Sequence, residues 1–408
     1  MNTEQQHAFD VIKNGNNIFL TGPAGTGKSF VLNEIKHWAI QSNKKYAITA
    51  LTGCAAVLIG GRTLHSSLGL GLGDKPIEHL VHKMKRFNKP QFIRLQSLEL
   101  LVIDEVSMMS DELMEKASEM LCIIRNNPKP FGGIQIVLSG DMCQLGPVSG
   151  NFCFTSSLWK DTIEEVCILS TIVRQSGDDM FLKILHYLRK GKCTKKIFDK
   201  LMKCQNTMFP DDIKPTKLYS RRANVDKIND NEYNALVSAG AIEKVYTTSP
   251  TSSIPHKAEE AIKWATQVGI PMQIKLCIGC QVVITANLDQ ETGIINGTRG
   301  VVMDVGPEPI VKLLDGREII INMKKTKDET EKLEVEYMPL KYAWCLTVHS
   351  AQGMTLDAAE IDLGKTIFAH GQAYTALSRV KNLKSVKITS LHPHSFIIDP
   401  LVKELYNM

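Results

Sequence analysis

The sequence predicts an α/β protein that carries a small all-β insert, and three observations lead there. Ile18 to Thr21 (IFLT), Tyr46 to Ala50 (YAITA), Leu100 to Asp104 (LLVID) and Ile134 to Ser139 (IQIVLS) are short apolar or alternating runs, the pattern of strands buried in a parallel sheet. Segments of helical period lie between them. Val31, Leu32, Ile35, Trp38 and Ala39 share one helical face, as do Leu113, Met114, Ala117, Met120, Leu121 and Ile124. From Gly279 to Lys332 the period changes to short strands with turn signals, among them Asn296-Gly297 and Asp315-Gly316.

Each stretch follows from its residues. Residues 62 to 97 break the alternation with Gly, Pro and basic residues, which predicts an excursion out of the sheet rather than another core strand. Helical and strand signals resume near Leu340 and run through Tyr374 and Leu377, so the β insert is expected between two parts of one α/β domain. The charged run Lys324 to Lys332, KKTKDETEK, reads as an exposed loop of that insert.

With 408 residues, the chain has room for two or three domains at about one per 150 residues. The composition, 43% hydrophobic and 22% charged, is globular, and no run approaches the roughly 18 to 20 apolar residues of a spanning helix. No membrane association is expected. The start, MNTEQQHAFDVIKNGNN, resembles neither a signal peptide nor a transit peptide, so an intracellular protein is expected. A net charge of +5 permits a polyanionic partner without demonstrating one. Ten cysteines scattered through apolar stretches fit a reducing compartment. Cys277 and Cys280 lack a second pair at zinc-finger spacing and are expected to be structural thiols.

Chemistry concentrates in GPAGTGKS. Gly22, Gly25, Thr26 and Gly27 shape a loop whose backbone N–H groups turn toward phosphate oxygens, Lys28 reaches the terminal phosphates, and the Ser29 hydroxyl ligates magnesium. ATP with Mg2+ is the cofactor this loop predicts. Asp104 and Glu105 end the strand LLVID, where the carboxyl ends of parallel strands open onto a ligand crevice. Asp104 is expected to hold the magnesium and Glu105 to deprotonate the attacking water. Gln144 ends the next strand and brings an amide that both donates and accepts. Arg174 and Arg379 are both candidates for the guanidinium that neutralises the transferring phosphoryl group, and spacing does not choose between them. Lys83, Lys85, Arg86, Lys89 and Arg94, interleaved with Phe87 and Phe92, supply either a solvated face or phosphate contacts with a base-stacking edge.

As a set, these motifs resemble the superfamily 1 DNA helicases of the petite integration frequency (PIF) family, relatives of the RecD helicases. The resemblance covers nearly the whole chain. In order, Thr3-Glu-Gln5 resembles the adenine-reading glutamine motif, GPAGTGKS the phosphate loop, TALTGCAA the first DNA-contacting motif and TLHS the next. IDEVSM resembles the carboxylate motif, and FGGIQIVLSGDMCQLGPV combines the family signature with the third motif. STIVRQ, with Arg174, resembles the fourth motif, AWCLTVHSAQGMTL the fifth, and GQAYTALSRV, with Arg379, the sixth. One departure is Gly146, where the family usually has a proline before Pro147.

The resemblance implies two RecA-like P-loop NTPase domains: 1–164, with a wedge insertion at about 62–97, and 165–245 joined with 340–408. An SH3-like all-β insertion is implied at 246–339. It also implies that Gln5 reads adenine and that Thr52, Gly53, His65, Ser66, Thr347 and His349 contact single-stranded DNA, with Phe87 and Phe92 on the wedge. The expected activity is an ATP-dependent DNA helicase moving 5′ to 3′ on single-stranded DNA and unwinding tailed or forked duplexes, monomeric when free, with replication or recombination proteins as partners. Two other classes stay open: an ATP-gated DNA-binding subunit that needs a partner for unwinding, and a P-loop ATPase with no nucleic-acid substrate.

Overall fold

The computed structural model describes the 408 residues except 53–54, 57–58, 72–74, 172–177, 210–214, 221, 268–269, 287, 290–291, 293, 295–297, 314, 328–332, 354–355, 357 and 381. Gly53 and Arg174, and the Asn296-Gly297 turn, lie outside the described residues. One compact unit comprises Met1–Ser220 and Thr347–Met408, and a second comprises Arg221–Leu346.

In the first unit, β1 (Ile18–Thr21), β2 (Tyr46–Ala50), β3 (Arg62–Thr63), β4 (Leu100–Asp104), β5 (Gln135–Gly140) and β6 (Glu165–Ile168) form one sheet in the order β3-β2-β4-β5-β1-β6. Every pairing in it is parallel. The apolar runs are buried as their composition requires: β1, β4 and β5 have no exposed residue. Helix α1 (Thr3–Lys13) and helix α2 (Lys28–Gln41) pack on this sheet, α2 through Val31, Leu32, Ile35 and Ala39. Trp38 sits at the margin of that face, edge-on to Phe9. The helix Asp111–Arg125 buries Met114, Ala117, Met120, Leu121 and Ile124 as the helical period predicts.

The excursion at 62–97 is mostly helical. Arg62–Thr63 first adds a two-residue edge strand beside β2, too short to show a period, and the helices Leu64–Leu68, Ile77–Phe87 and Lys89–Gln96 follow. A second parallel sheet contains β7 (Thr216–Tyr219) and the strands Ala359–Leu363 and Val386–Leu391.

The second unit holds a five-stranded antiparallel sheet of Gln281–Ile284, Arg299–Asp304, Ile310–Leu313, Glu318–Ile320 and Leu340–Tyr342. Asp315-Gly316 turns the hairpin, with Gly316 at φ 89°. The interval 246–339 is not wholly β. A helix, Pro255–Gln267, packs Ala261 and Ala265 against Val335, an alanine stripe too weak to stand out as a helical face. Lys324–Lys327, expected in a loop, is a strand paired with Glu334–Tyr337. Lys325 stands opposite Glu336 in the register, and the apolar alternation lies on the partner strand, where Val335 and Tyr337 are buried. Cys277 and Cys280 are buried with their sulfurs 3.3 Å apart inside this unit's core. Among the described residues no helix is long and apolar enough to cross a membrane.

Leu32 is fully buried in the core beneath the phosphate loop. Leu32→Ala is expected to cost about 2–5 kcal/mol, read as a lower midpoint in chemical unfolding.

Candidate active site

β1 ends at Thr21, and the chain turns through the glycine-rich loop before α2 opens at Lys28. Gly22 has φ 151°, and a Cβ there would lie 2.2 Å from the Leu169 carbonyl oxygen, so no larger residue fits. The N-cap of α2 is Gly27 at φ 85°, which contributes no side-chain cap and leaves the first-turn amides directed at the loop. Lys28 Nζ donates to the carbonyls of Gly22 at 2.7 Å and Pro23 at 3.1 Å. Burial pushes its ammonium below the ordinary lysine range, against the pull of Asp141, Glu105 and Asp104.

Gln5, expected to read adenine, stands against the phosphate loop. Its Oε1 accepts the Asn2 N–H at 3.0 Å and its Nε2 donates to the Thr26 carbonyl at 3.2 Å, so the capping box of α1 clamps the phosphate loop. Both ends of the amide are engaged with backbone, and the side chain is buried behind the loop.

β1 and β5 end level, Thr21 opposite Gly140, so the phosphate loop and the turn Asp141–Leu145 leave the sheet side by side. Asp104 ends β4 on the other side of β5. Burial, then the neighbouring Glu105 charge, raises its carboxyl to about 6, while Ser139 and Lys28 oppose the shift. Glu105 adopts the left-handed backbone conformation at φ 57°, a costly state for a side chain of this size and one that aims it out of the strand direction. Gln352 Nε2 donates to Glu105 Oε2 at 3.2 Å and to Ser107 Oγ at 3.3 Å. Gln144 is buried, and its Oε1 has no hydrogen-bond partner among the described residues. Arg379 is also buried, its Nε donating to the Thr375 carbonyl at 3.0 Å.

These groups meet. A cleft of about 270 Å³ is lined by Ala24, Gly25, Gly27, Lys28, Ser29, Phe30, Ala55, Asp104, Glu105, Gln144, Gly353 and Arg379. A phosphate-binding loop, two carboxylates, a buried amide with a spare acceptor and a guanidinium form a fitting environment for a nucleoside triphosphate and its cation.

Behind the cleft lies a charge buried more deeply. Asp141 accepts from Arg189 through Nε at 3.1 Å and Nη2 at 2.9 Å, from the Tyr374 hydroxyl at 3.0 Å and from the Cys143 N–H at 3.1 Å. Burial works to raise its carboxyl, but Arg189 outweighs it and holds the group below the usual carboxylate range. Leu145 N donates to Thr375 Oγ1 at 3.0 Å. The backbone also closes in, since a Cβ on Gly371 at φ 70° would lie 2.4 Å from the Gln144 carbonyl oxygen.

The residues expected on DNA follow the carboxyl ends of neighbouring strands. Thr52 lies just beyond β2, its Oγ1 accepting the Ala55 N–H at 3.3 Å, and His65 and Ser66 follow β3. Burial lowers the His65 and His349 pKa values below the ordinary histidine range. Thr347 Oγ1 lies 2.8 Å from Ser350 Oγ and accepts the Ser350 N–H at 3.1 Å. Phe87 is exposed beneath the Arg86 guanidinium at 5.1 Å, and Lys85 lies 5.8 Å from the half-buried Phe92 ring. Arg94 departs from this pattern by turning inward to the Ser67 carbonyl.

A family model described as PIF1-like helicase matches residues 1–197, and one described as the 2B domain of DNA helicase Pif1 matches residues 266–305. The structure resembles that of Pif1 helicase from Candida albicans with a TM-score of 0.90 and 34% identity, covering 100% of this chain and 99% of that one. This chain belongs to the Pif1-like helicase family. The ATP-dependent DNA helicase PIF1 of Danio rerio is 35% identical over 96% of the chain, which spans 61% of that relative's length. Pif1 helicase from Bacteroides in complex with ADP-AlF3 and ssDNA matches with a TM-score of 0.75 and 27% identity, covering 99% of this chain and 95% of that one.

Gly146, where the resemblance leads one to expect a proline, has a local explanation. A Cβ at this position would meet Cζ of Phe152 at 2.8 Å, so the ring fills the space where a proline would stand. Asp141, Arg189, Tyr374 and Gln352 are the site residues that reading the sequence passes over. Three of them stood inside recognised motifs, Asp141 in FGGIQIVLSGDMCQLGPV, Tyr374 in GQAYTALSRV and Gln352 in AWCLTVHSAQGMTL, and only their partners mark them out.

Asp141→Asn leaves the buried Arg189 charge without its partner, and an expected loss of about 3–5 kcal/mol shows as a lower unfolding midpoint at neutral pH. Because the folded carboxyl titrates below its unfolded value, its stabilisation is present above the unfolded pKa and lost as pH falls through the folded one. The gap between wild type and variant should therefore close in acid.

Proposed function

We propose that this chain is an ATP-dependent DNA helicase that translocates 5′ to 3′ on single-stranded DNA and unwinds duplex ahead of it. The observation that carries the reading is the convergence of Lys28, Ser29, Asp104, Glu105, Gln144 and Arg379 on one cleft in a member of the Pif1-like helicase family. The PIF1 relative from Danio rerio is an ATP-dependent DNA helicase, and the Bacteroides structure holds a nucleotide analogue together with single-stranded DNA.

In this reading Lys28 exchanges the Gly22 and Pro23 carbonyls for terminal phosphate oxygens, and the amides of Gly25 to Ser29 cradle the remaining phosphates. Ser29 and Asp104 hold Mg2+, which offsets phosphate charge. Glu105, oriented by Gln352, takes a proton from the attacking water, and Gln144 and Arg379 meet the terminal phosphoryl group, with Arg174 as the second guanidinium. Thr52, Gly53, His65, Ser66, Thr347 and His349 hold the sugar-phosphate backbone, with little base preference, and Phe87 and Phe92 stack bases or part the strands. Residues 1–164 form the first RecA-like domain with its wedge, 165–245 and 340–408 the second, and 246–339 the insertion. Monomeric action, and partners in replication, repair or recombination, belong to the same reading.

The test is strand separation on matched duplexes with either a 5′ or a 3′ single-stranded tail. ATP-dependent unwinding of only the 5′-tailed duplex is expected. Unwinding of only the 3′-tailed duplex overturns the polarity, and hydrolysis indifferent to DNA overturns the helicase reading. Lys28→Ala is expected to reduce ATP turnover by about a hundredfold or more. Glu105→Gln should lower kcat by about 10²–10⁴-fold while nucleotide and DNA binding stay near wild type. DNA affinity should fall with added salt at a log–log slope of roughly −0.7 per phosphate neutralised, measured by titration at several ionic strengths.

A further inference from the structure

Tyr406 follows the helix Pro400–Leu405 and lies beyond every motif of the nucleotide site. Its hydroxyl is 2.6 Å from Thr21 Oγ1 and accepts the Met142 N–H at 3.2 Å. Thr21 is the last residue of β1, immediately before Gly22, and Met142 stands two residues before Gln144. One oxygen therefore joins the root of the phosphate loop to the root of the Gln144 turn. The sheet pairs these two segments only as far as Thr21 and Gly140, and the phenol carries the link past the point where backbone pairing stops. The ring lies 4.8 Å from the Arg189 guanidinium, which is ion-paired to Asp141 at the start of the same turn.

Tyr374 makes a matching contact. Its hydroxyl accepts the Ala24 N–H of the phosphate loop at 3.3 Å and donates to Asp141 Oδ2 at 3.0 Å. Two phenols thus tie the loop to the turn, one at Ala24 and one at Thr21.

We propose that Tyr406 is a positioning residue of the ATP site, whose hydroxyl sets the spacing between the phosphate loop and Gln144. The assignment rests on the helicase reading above. Thr21 is fully buried and Met142 nearly so, which leaves little water to replace the phenol oxygen. Without it, the Met142 N–H and the Thr21 hydroxyl must find other partners, and the backbone segments that carry them shift. Such a shift moves the Gln144 amide relative to the terminal phosphate while the amides of the loop still bind nucleotide. Hydrolysis then depends on Tyr406 more than ATP binding does. The contact between ring and guanidinium does not use the hydroxyl, so phenylalanine separates positioning from packing.

Wild type, Tyr406→Phe, Thr21→Val and the double variant are compared in single-stranded-DNA-stimulated ATP hydrolysis, with thermal midpoints recorded for each. Tyr406→Phe is expected to lower kcat about threefold to tenfold, the worth of one buried hydrogen bond, with KM for ATP within about twofold. The double variant is expected to be no slower than the slower single variant, because both substitutions remove the same contact. A wild-type kcat in Tyr406→Phe, with only the thermal midpoint lowered, overturns the assignment and leaves Tyr406 as a packing residue. Multiplicative losses in the double variant overturn it as well. If the wild-type chain shows no DNA-stimulated hydrolysis, the functional reading fails and the assignment falls with it, whereas wild-type turnover with an unaltered Tyr406→Phe removes this assignment alone.

Discussion

A carboxylate taken out of water has to be satisfied by the protein, and Asp141 is satisfied from three directions. Its donors come from the helix Asp179–Arg189, from the helix Gln372–Leu377 and from its own turn. Tyr374 is 233 positions away in sequence. Burying this charge requires that the elements following the first sheet be seated on it at one point, and that point lies under the turn that carries Gln144. Pairs of this kind add little net stability over an apolar substitute, yet they punish any arrangement in which one member is missing. Asp141 is best understood as a register mark: the chain is correctly assembled when Arg189 and Tyr374 both reach it.

The cleft inherits its geometry from that assembly. Asp104, Glu105 and Gln144 stand at strand ends or turns of the six-stranded sheet and Lys28 and Ser29 on the first turn of α2, while Gln352, Gly353 and Arg379 come from segments around the second sheet. Glu105 is the junction between the two groups. Its left-handed backbone is unfavourable in isolation, and it is held by the turn Val106–Met108 and by the Gln352 amide. Gln352 comes from the motif that also contains Thr347 and His349, so the proposed DNA-contacting segment reaches the proposed base through three positions in sequence and one hydrogen bond in space.

Much of this was legible in the sequence, and the limits are physical. The phosphate loop could be read because its function fixes residue type, spacing and flanking elements at once, and the strand-end carboxylates because parallel strands bury continuous apolar runs that end abruptly at Asp104. Lys324–Lys327 was not legible as a strand, since the apolar alternation lies on its partner. Nor was the helix Pro255–Gln267, whose buried face is two alanines. Arg94 belonged to a basic run that fitted either a solvated face or phosphate contacts, and only the fold shows it turned to the Ser67 carbonyl. The partners of Asp141 were invisible for a further reason. Each contact joins distant segments, and a lone arginine or tyrosine has the same appearance in sequence whether it faces solvent or a buried charge.

Gly146 and Phe152 share one packing space. The Phe152 ring is stacked on Phe154 at 5.1 Å, and Phe154 meets Trp159 edge-on, so its neighbours hold the ring in place. A proline introduced at 146 collides with it, whereas a smaller residue at 152 opens a void beside the glycine. The two positions are therefore coupled: a side chain at 146 calls for a smaller one at 152.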